Sequence, residues 1–133
     1  MKKLSKIFLV MFLLTFSVVG CESANGETCK ELYCGKWSLI QIIQGFTEPE
    51  IFMENEIVWE FTSDTTLTVQ INTDLRETSL NPYSSGKYTF TLGQEEIAIE
   101  DETFQYILTD DTLMISQDVA SDGPEFTFKR VSL

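Results

Sequence analysis

From Trp37 to Val131 apolar residues recur at every second position, in short runs separated by turn residues. Residues two apart share one face of a strand, so this alternation commits the chain to half-buried β-strands. Ile57, Trp59 and Phe61 alternate with Val58, Glu60 and Thr62, and after Ser63-Asp64-Thr65 come Leu67, Val69 and Ile71. Tyr88, Phe90 and Leu92 follow, then Gly93-Gln94, Ile97 and Ile99, then Phe104, Tyr106 and Leu108. Asp110-Asp111 turns into Leu113 to Ser116, and Ser121-Asp122-Gly123-Pro124 into a last strand, Phe126 to Val131. The opening run, Trp37 to Ile43, is apolar on both faces, which leaves its orientation open. Residues 45–55 (GFTEPEIFMEN) read as a long connection with one helical turn around Ile51 to Met53. Thr73 to Ser85 is the least regular stretch, with a further edge strand expected near Glu77 to Leu80. No window carries a 3.6-residue apolar stripe without a breaker, so no helix longer than a turn is expected.

About eight antiparallel strands with one apolar face each must curl into a barrel or fold over as a sandwich to bury that face. Hairpin-length connections favour a small up-and-down β-barrel, because a β-sandwich, the alternative, usually needs longer crossings between its sheets.

The start of the chain has a different character. Lys2, Lys3 and Lys6 precede an apolar run from Ile7 to Val19 that is too short to span a bilayer as a helix but suits a signal peptide. It ends in Val18-Val19-Gly20-Cys21, which resembles the bacterial lipobox. The resemblance implies cleavage before Cys21, diacylglycerol on its thiol and acylation, palmitate included, of the new amino terminus. Several acyl chains anchor durably, where one alone holds only marginally. The organisation expected is therefore a signal peptide over 1–20, a lipidated cysteine and polar tether over 21–34, and one β-domain over 35–133. Glu22 follows the cysteine instead of the aspartate that retains many enteric lipoproteins in the inner membrane, which favours the outer membrane and leaves surface exposure open.

Cleavage removes three of the nine Lys and Arg and none of the 21 acids, so the net charge falls from −12 to −15. A surface this acidic argues against nucleic-acid binding, which needs a basic face, and points to a self-repelling, solvated exterior. Cys29 and Cys34 lie close together in an exported chain, where thiols are oxidised, and pairing as a disulfide is the simplest expectation. A metal site would need further ligands, and the chain has no His, so no metal or cofactor is expected. The missing imidazole also removes Ser–His and Cys–His nucleophiles. Glu95-Glu96, Asp110-Asp111 and Glu100-Asp101-Glu102 fall in or beside turns, and neighbours on a strand point to opposite faces, so these carboxylates do not form a facing catalytic pair by themselves. Asp118 to Gly123 lacks the alternating acids and closing Glu of a calcium loop. The chain is not read as an enzyme.

Gly35-Lys36-Trp37 resembles the Gly-x-Trp that opens the first strand of lipocalins and related calycins, and Phe126 to Arg130 (FTFKR) resembles the closing strand of short lipocalin-like domains of Bacteroidetes lipoproteins. Trp59-Glu60-Phe61 and the segment Tyr106 to Leu113 are similar in character. The resemblance covers Gly35 to Val131 and departs from the full-length family in its shorter strands. It implies an arginine of the last strand lying across the opening tryptophan, here Arg130 and Trp37. Counting by twos supports that pair, since Phe126, Phe128 and Arg130 share one face of the last strand. The resemblance also implies a small apolar or amphipathic ligand inside the barrel, with Trp59, Tyr88, Phe90 and Tyr106 as candidate contacts. A buried phenol wants a hydrogen-bond partner, which ligand, water or backbone can supply.

The first reading of these residues is a membrane-anchored carrier of a small apolar or amphipathic ligand; the alternative is a filled barrel that presents its surface or loops to a protein partner in the cell envelope, the partner itself being unspecified. Eight strands enclose an interior that side chains just fill or that holds one small ligand. A cavity favours the carrier, and a solid core with exposed apolar loops favours the interaction module.

Overall fold

The computed structural model describes residues 31–72 and 81–132, and the description below concerns these residues. Cys21, Cys29 and the strand expected at Glu77 to Leu80 lie outside them. The strands are β1 (Gly35–Ile43), β2 (Glu50–Ile51), β3 (Ile57–Phe61), β4 (Thr66–Ile71), β5 (Gly86–Leu92), β6 (Glu96–Ile99), β7 (Glu102–Leu108), β8 (Thr112–Ser116) and β9 (Glu125–Arg130). The helical structure among them is a 3-10 turn at Val119–Ser121. Every pairing is antiparallel, each strand from β3 onward pairs with the next, and β9 returns to β1. Eight strands thus close an up-and-down barrel, and closure removes the free edges that an open sheet would expose.

β2 is the extra, ninth strand. Residues 45–55 do not form a helical turn around Ile51 to Met53: Glu50 and Ile51 pair with Ile42 and Gln41 on the edge of β1 that β3 occupies further along. β2 and β3 are in effect one strand interrupted by residues 52–56. The interruption is held by Phe52 N–H donating to the Ile40 carbonyl (3.0 Å) and Asn55 N–H to the buried Ser38 Oγ (2.8 Å). Local hydropathy could not reveal it, because the pairing partner lies in another strand.

The open orientation of β1 is resolved by a β-bulge. Leu39 pairs with Phe128 and Gln41 with Thr127, so Ile40 is an extra residue with no opposite number on β9. One inserted residue switches the parity of the strand. Trp37 and Leu39 face inward before the bulge and Ile42 after it, all fully buried.

The two ends of the barrel differ. At the entry end, where the described chain enters β1, lie the start of β1, the end of β9 and the hairpin turns β3–β4, β5–β6 and β7–β8; at the far end lie residues 44–56 and the connections β4–β5, β6–β7 and β8–β9. The β3–β4 turn is a three-residue loop whose last residue, Thr65, has φ 63. A β-branched residue is strained there. Asp64 offsets the strain by accepting from Thr62 Oγ1 and from Thr66 N–H (3.2 Å).

Candidate functional site

The barrel interior is the place where the alternation, the topology and the expected ligand contacts converge. Trp37, Trp59, Phe61, Phe90, Phe104, Phe126 and Phe128 are all buried to within 2%. Their rings lie at contact distance. Trp59 stands 4.8 Å from Phe128 and 6.3 Å from Phe61 between centroids, and Phe61 stands 5.1 Å from Phe90, edge-on at 90°. Phe61 and Phe90 are edge-to-face and the other two pairs tilted, at the spacings that aromatic quadrupoles prefer.

Two further aromatics come from loops and were not picked out by sequence periodicity. Tyr83, in the β4–β5 connection at the far end, packs edge-on against Trp59 (5.5 Å) and Phe104 (6.4 Å) and tilted against Tyr88 (4.9 Å). Its hydroxyl donates to Glu102 Oε2 at 3.0 Å, and burial together with that carboxylate pushes the phenol well above its ordinary pKa. Phe52, from the interruption between β2 and β3, is buried in the same cluster. The sequence signal was slight: an aromatic after Pro82 in an otherwise polar stretch, and a Phe between Ile51 and Met53 in a connection rich in acids.

The four candidate ligand contacts lie at different depths of the barrel. Trp59 and Phe90 belong to the packed core. Tyr88 and Tyr106 are half-buried at opposite ends, and their hydroxyls donate to backbone: Tyr88 to the Ser84 carbonyl at 2.8 Å, Tyr106 to the Gly93 carbonyl at 2.9 Å. The Trp59 indole Nε1 is buried without a hydrogen-bond partner. A hollow of about 520 Å³ is lined by Tyr106 together with Gln105, Ile107 and Met114 among others, and one of about 440 Å³ lies beside Arg130 and Lys36. Neither is lined by Trp59, Tyr88 or Phe90.

The entry end is sealed by Trp37 and Arg130. The β1–β9 register sets these two residues directly opposite each other, and such neighbours on one face have Cβ atoms about 4.5–5.5 Å apart. The Arg130 guanidinium carbon lies 4.2 Å from the Trp37 ring centroid. Its Nε donates to the Asp110 carbonyl (2.7 Å), Nη1 to the Cys34 carbonyl (3.0 Å) and Nη2 to the Leu32 carbonyl. One planar cation thereby ties the β7–β8 turn to the segment entering β1, which a lysine could not do with one nitrogen. The segment is held again by Trp37 Nε1, which donates to the Tyr33 carbonyl at 2.8 Å. Gly35 completes the arrangement: its φ of +117 suits glycine alone, and a Cβ there would come within 3.4 Å of Arg130 Nη1. Cys34 is disulfide-bonded and buried.

Asp110 and Asp111 contribute backbone carbonyls to Arg130, and the Asp111 carboxylate accepts from Thr109 and Thr112 hydroxyls within its own turn. Among the described residues no group of three or more His, Cys, Asp or Glu is placed to hold a metal ion. Fold and interior together define a small closed β-barrel with an aromatic core. No protein-family model matches the sequence, and no curated protein matches it either.

Proposed function

We propose that the protein is a lipoprotein of the cell envelope, anchored through lipid on Cys21, whose filled lipocalin-like barrel acts as a non-catalytic interaction module. The observation that carries this reading is the interior. Rings from the strands and from two loops meet at contact distance where a carrier would keep a hollow, and the inner tyrosines are already satisfied by backbone. The chain enters the domain at the end that Arg130 and Trp37 seal, so a tether from Cys21 would turn that end toward the membrane and leave the far-end loops free.

A second reading, a carrier of one small molecule, has one observation in its favour: the unpartnered Trp59 indole N–H, a buried donor that costs about 1–3 kcal/mol unless something accepts from it. One experiment separates the two. Native mass spectrometry of protein taken from its own membrane, in mild detergent, is expected to give the lipidated chain with no small molecule retained. A stoichiometric small mass that leaves on collisional activation would overturn the module and establish the carrier.

A further inference from the structure

The loop of residues 44–56 at the far end breaks the rule that large apolar side chains are buried. Phe46 is 100% exposed, Met53 77% and Ile51 63%. The loop that carries them is braced. Thr47 donates from its N–H and its hydroxyl to the Gln44 carbonyl, and Gly45 packs toward Asp122 in the β8–β9 connection. Phe52 anchors it in the core, Met53 N–H donates to Glu56 Oε2 at 3.0 Å, and Asn72 Nδ2 to the Asn55 carbonyl at 2.8 Å. Apolar side chains held out into water on a fixed backbone are preorganised for burial by something else, since the ordering cost is already met.

The charge around them identifies the occupant's chemistry. Glu48, Glu50, Glu54 and Glu56 interleave with the apolar residues, and Asp118 and Asp122 stand in the neighbouring connection. Among the described residues the cation at this end is Lys87, while Lys36, Lys129 and Arg130 lie at the other. An anionic bilayer would be repelled by such a rim, and so would a second copy of this chain. We infer that the 44–56 loop is the docking surface of the interaction module, inserting Phe46 and Met53 into an apolar pocket rimmed by Lys and Arg on a protein partner. The inference rests on the module reading. It is independent of whether the barrel resembles lipocalins.

The test uses the full lipidated chain in its own cells, with the photo-crosslinking residue p-benzoylphenylalanine at position 46 and, separately, at position 107. Ile107 is 64% exposed on the barrel wall away from this loop and serves as the comparison. The expected result is one dominant protein adduct at position 46 and none at 107, attached within a partner segment rich in Lys and Arg. Its yield should fall about tenfold or more with Met53→Ser, and as far with Glu48→Lys plus Glu54→Lys. It should also fall when isolated membranes go from about 0.05 to about 0.5 M salt before irradiation. These side chains are on the surface, so an unchanged melting temperature in each variant shows that folding is not the cause. Adducts at 107 and none at 46 would leave the module standing and overturn the docking loop. Adducts at neither position would overturn both. A lipid adduct at 46 would replace the protein partner by the bilayer, and an adduct indifferent to salt and to charge reversal would overturn the cationic rim.

Discussion

Arg130→Ala removes a side chain that bridges the first and last strands, the β7–β8 turn and the entering segment. The stacked guanidinium contributes about 1 kcal/mol at the 4.2 Å separation from Trp37. The bond to the Cys34 carbonyl is partly buried and made by a charged donor, so its loss costs about 1.5–3 kcal/mol. The Asp110 and Leu32 carbonyls are exposed and recover water, so their share is a few tenths each. The expected loss is about 3–5 kcal/mol in urea denaturation followed by tryptophan emission. Arg130→Lys should recover less than half, because an ammonium neither stacks as a plane nor reaches three carbonyls. Lys129→Ala, one residue away and outward-facing, should stay within about 0.5 kcal/mol. A local readout separates sealing from general stability: Leu32 and Cys34 flank Tyr33, whose carbonyl accepts the Trp37 indole N–H. Exchange of that indole proton should quicken about tenfold or more in Arg130→Ala while those β4 amides that exchange by local opening keep their rates. A loss under about 1 kcal/mol with unchanged indole exchange would refute the reasoning.

Gly123→Ala should destabilise by more than about 2 kcal/mol, since a Cβ there would stand 1.6 Å from the Gln117 carbonyl oxygen, a backbone atom that the closing Gln117 N–H to Pro124 bond holds in place; equal denaturation midpoints for variant and parent would contradict this. Asp64 should titrate below the usual carboxylate range, because first the Thr62 hydroxyl and then Thr66 hydrogen-bond its charged form. A lowered folded value means that its stabilisation is present above the unfolded pKa of about 3.9 and is lost as pH falls through the folded value. The difference in stability between the parent and Asp64→Asn should therefore shrink on acidification, and an NMR midpoint for the Asp64 carboxyl at or above the ordinary value would show the turn bonds to be absent.

How much of this was legible in the sequence depends on whether a residue's fate is set along its own strand or across to another. The inward faces of β3 to β9 followed from counting by twos, and so did the placement of Arg130 with Phe126 and Phe128, because burial on a pleated sheet has the same period as the chain. The direction of β1 did not follow, since the bulge at Ile40 exists only in its pairing with β9. β2 was hidden for the same reason, its two residues being recruited by an edge that β3 leaves free. The fates of the Tyr88 and Tyr106 hydroxyls were undecided because their acceptors, the Ser84 and Gly93 carbonyls, belong to turns whose course hydropathy does not encode.

The functional conclusion turns on the residues that periodicity passed over. Eight strands close around a space that side chains just fill, so whether room remains depends on what the strands project inward and on what the loops add. Here the strands already project Trp37, Trp59, Phe61, Phe90, Phe104, Phe126 and Phe128. Tyr83 and Phe52 then enter from the far end, where a carrier would admit its ligand. Phe52 does so from the same short loop that turns Ile51 and Met53 outward. The side chain that helps fill the interior thus sits between two apolar neighbours turned to water, and on the proposed module reading that one local structure would serve both the packed interior and the docking rim. Phe52→Ala should accordingly loosen the core and release the loop together, whereas Met53→Ser should leave the core intact.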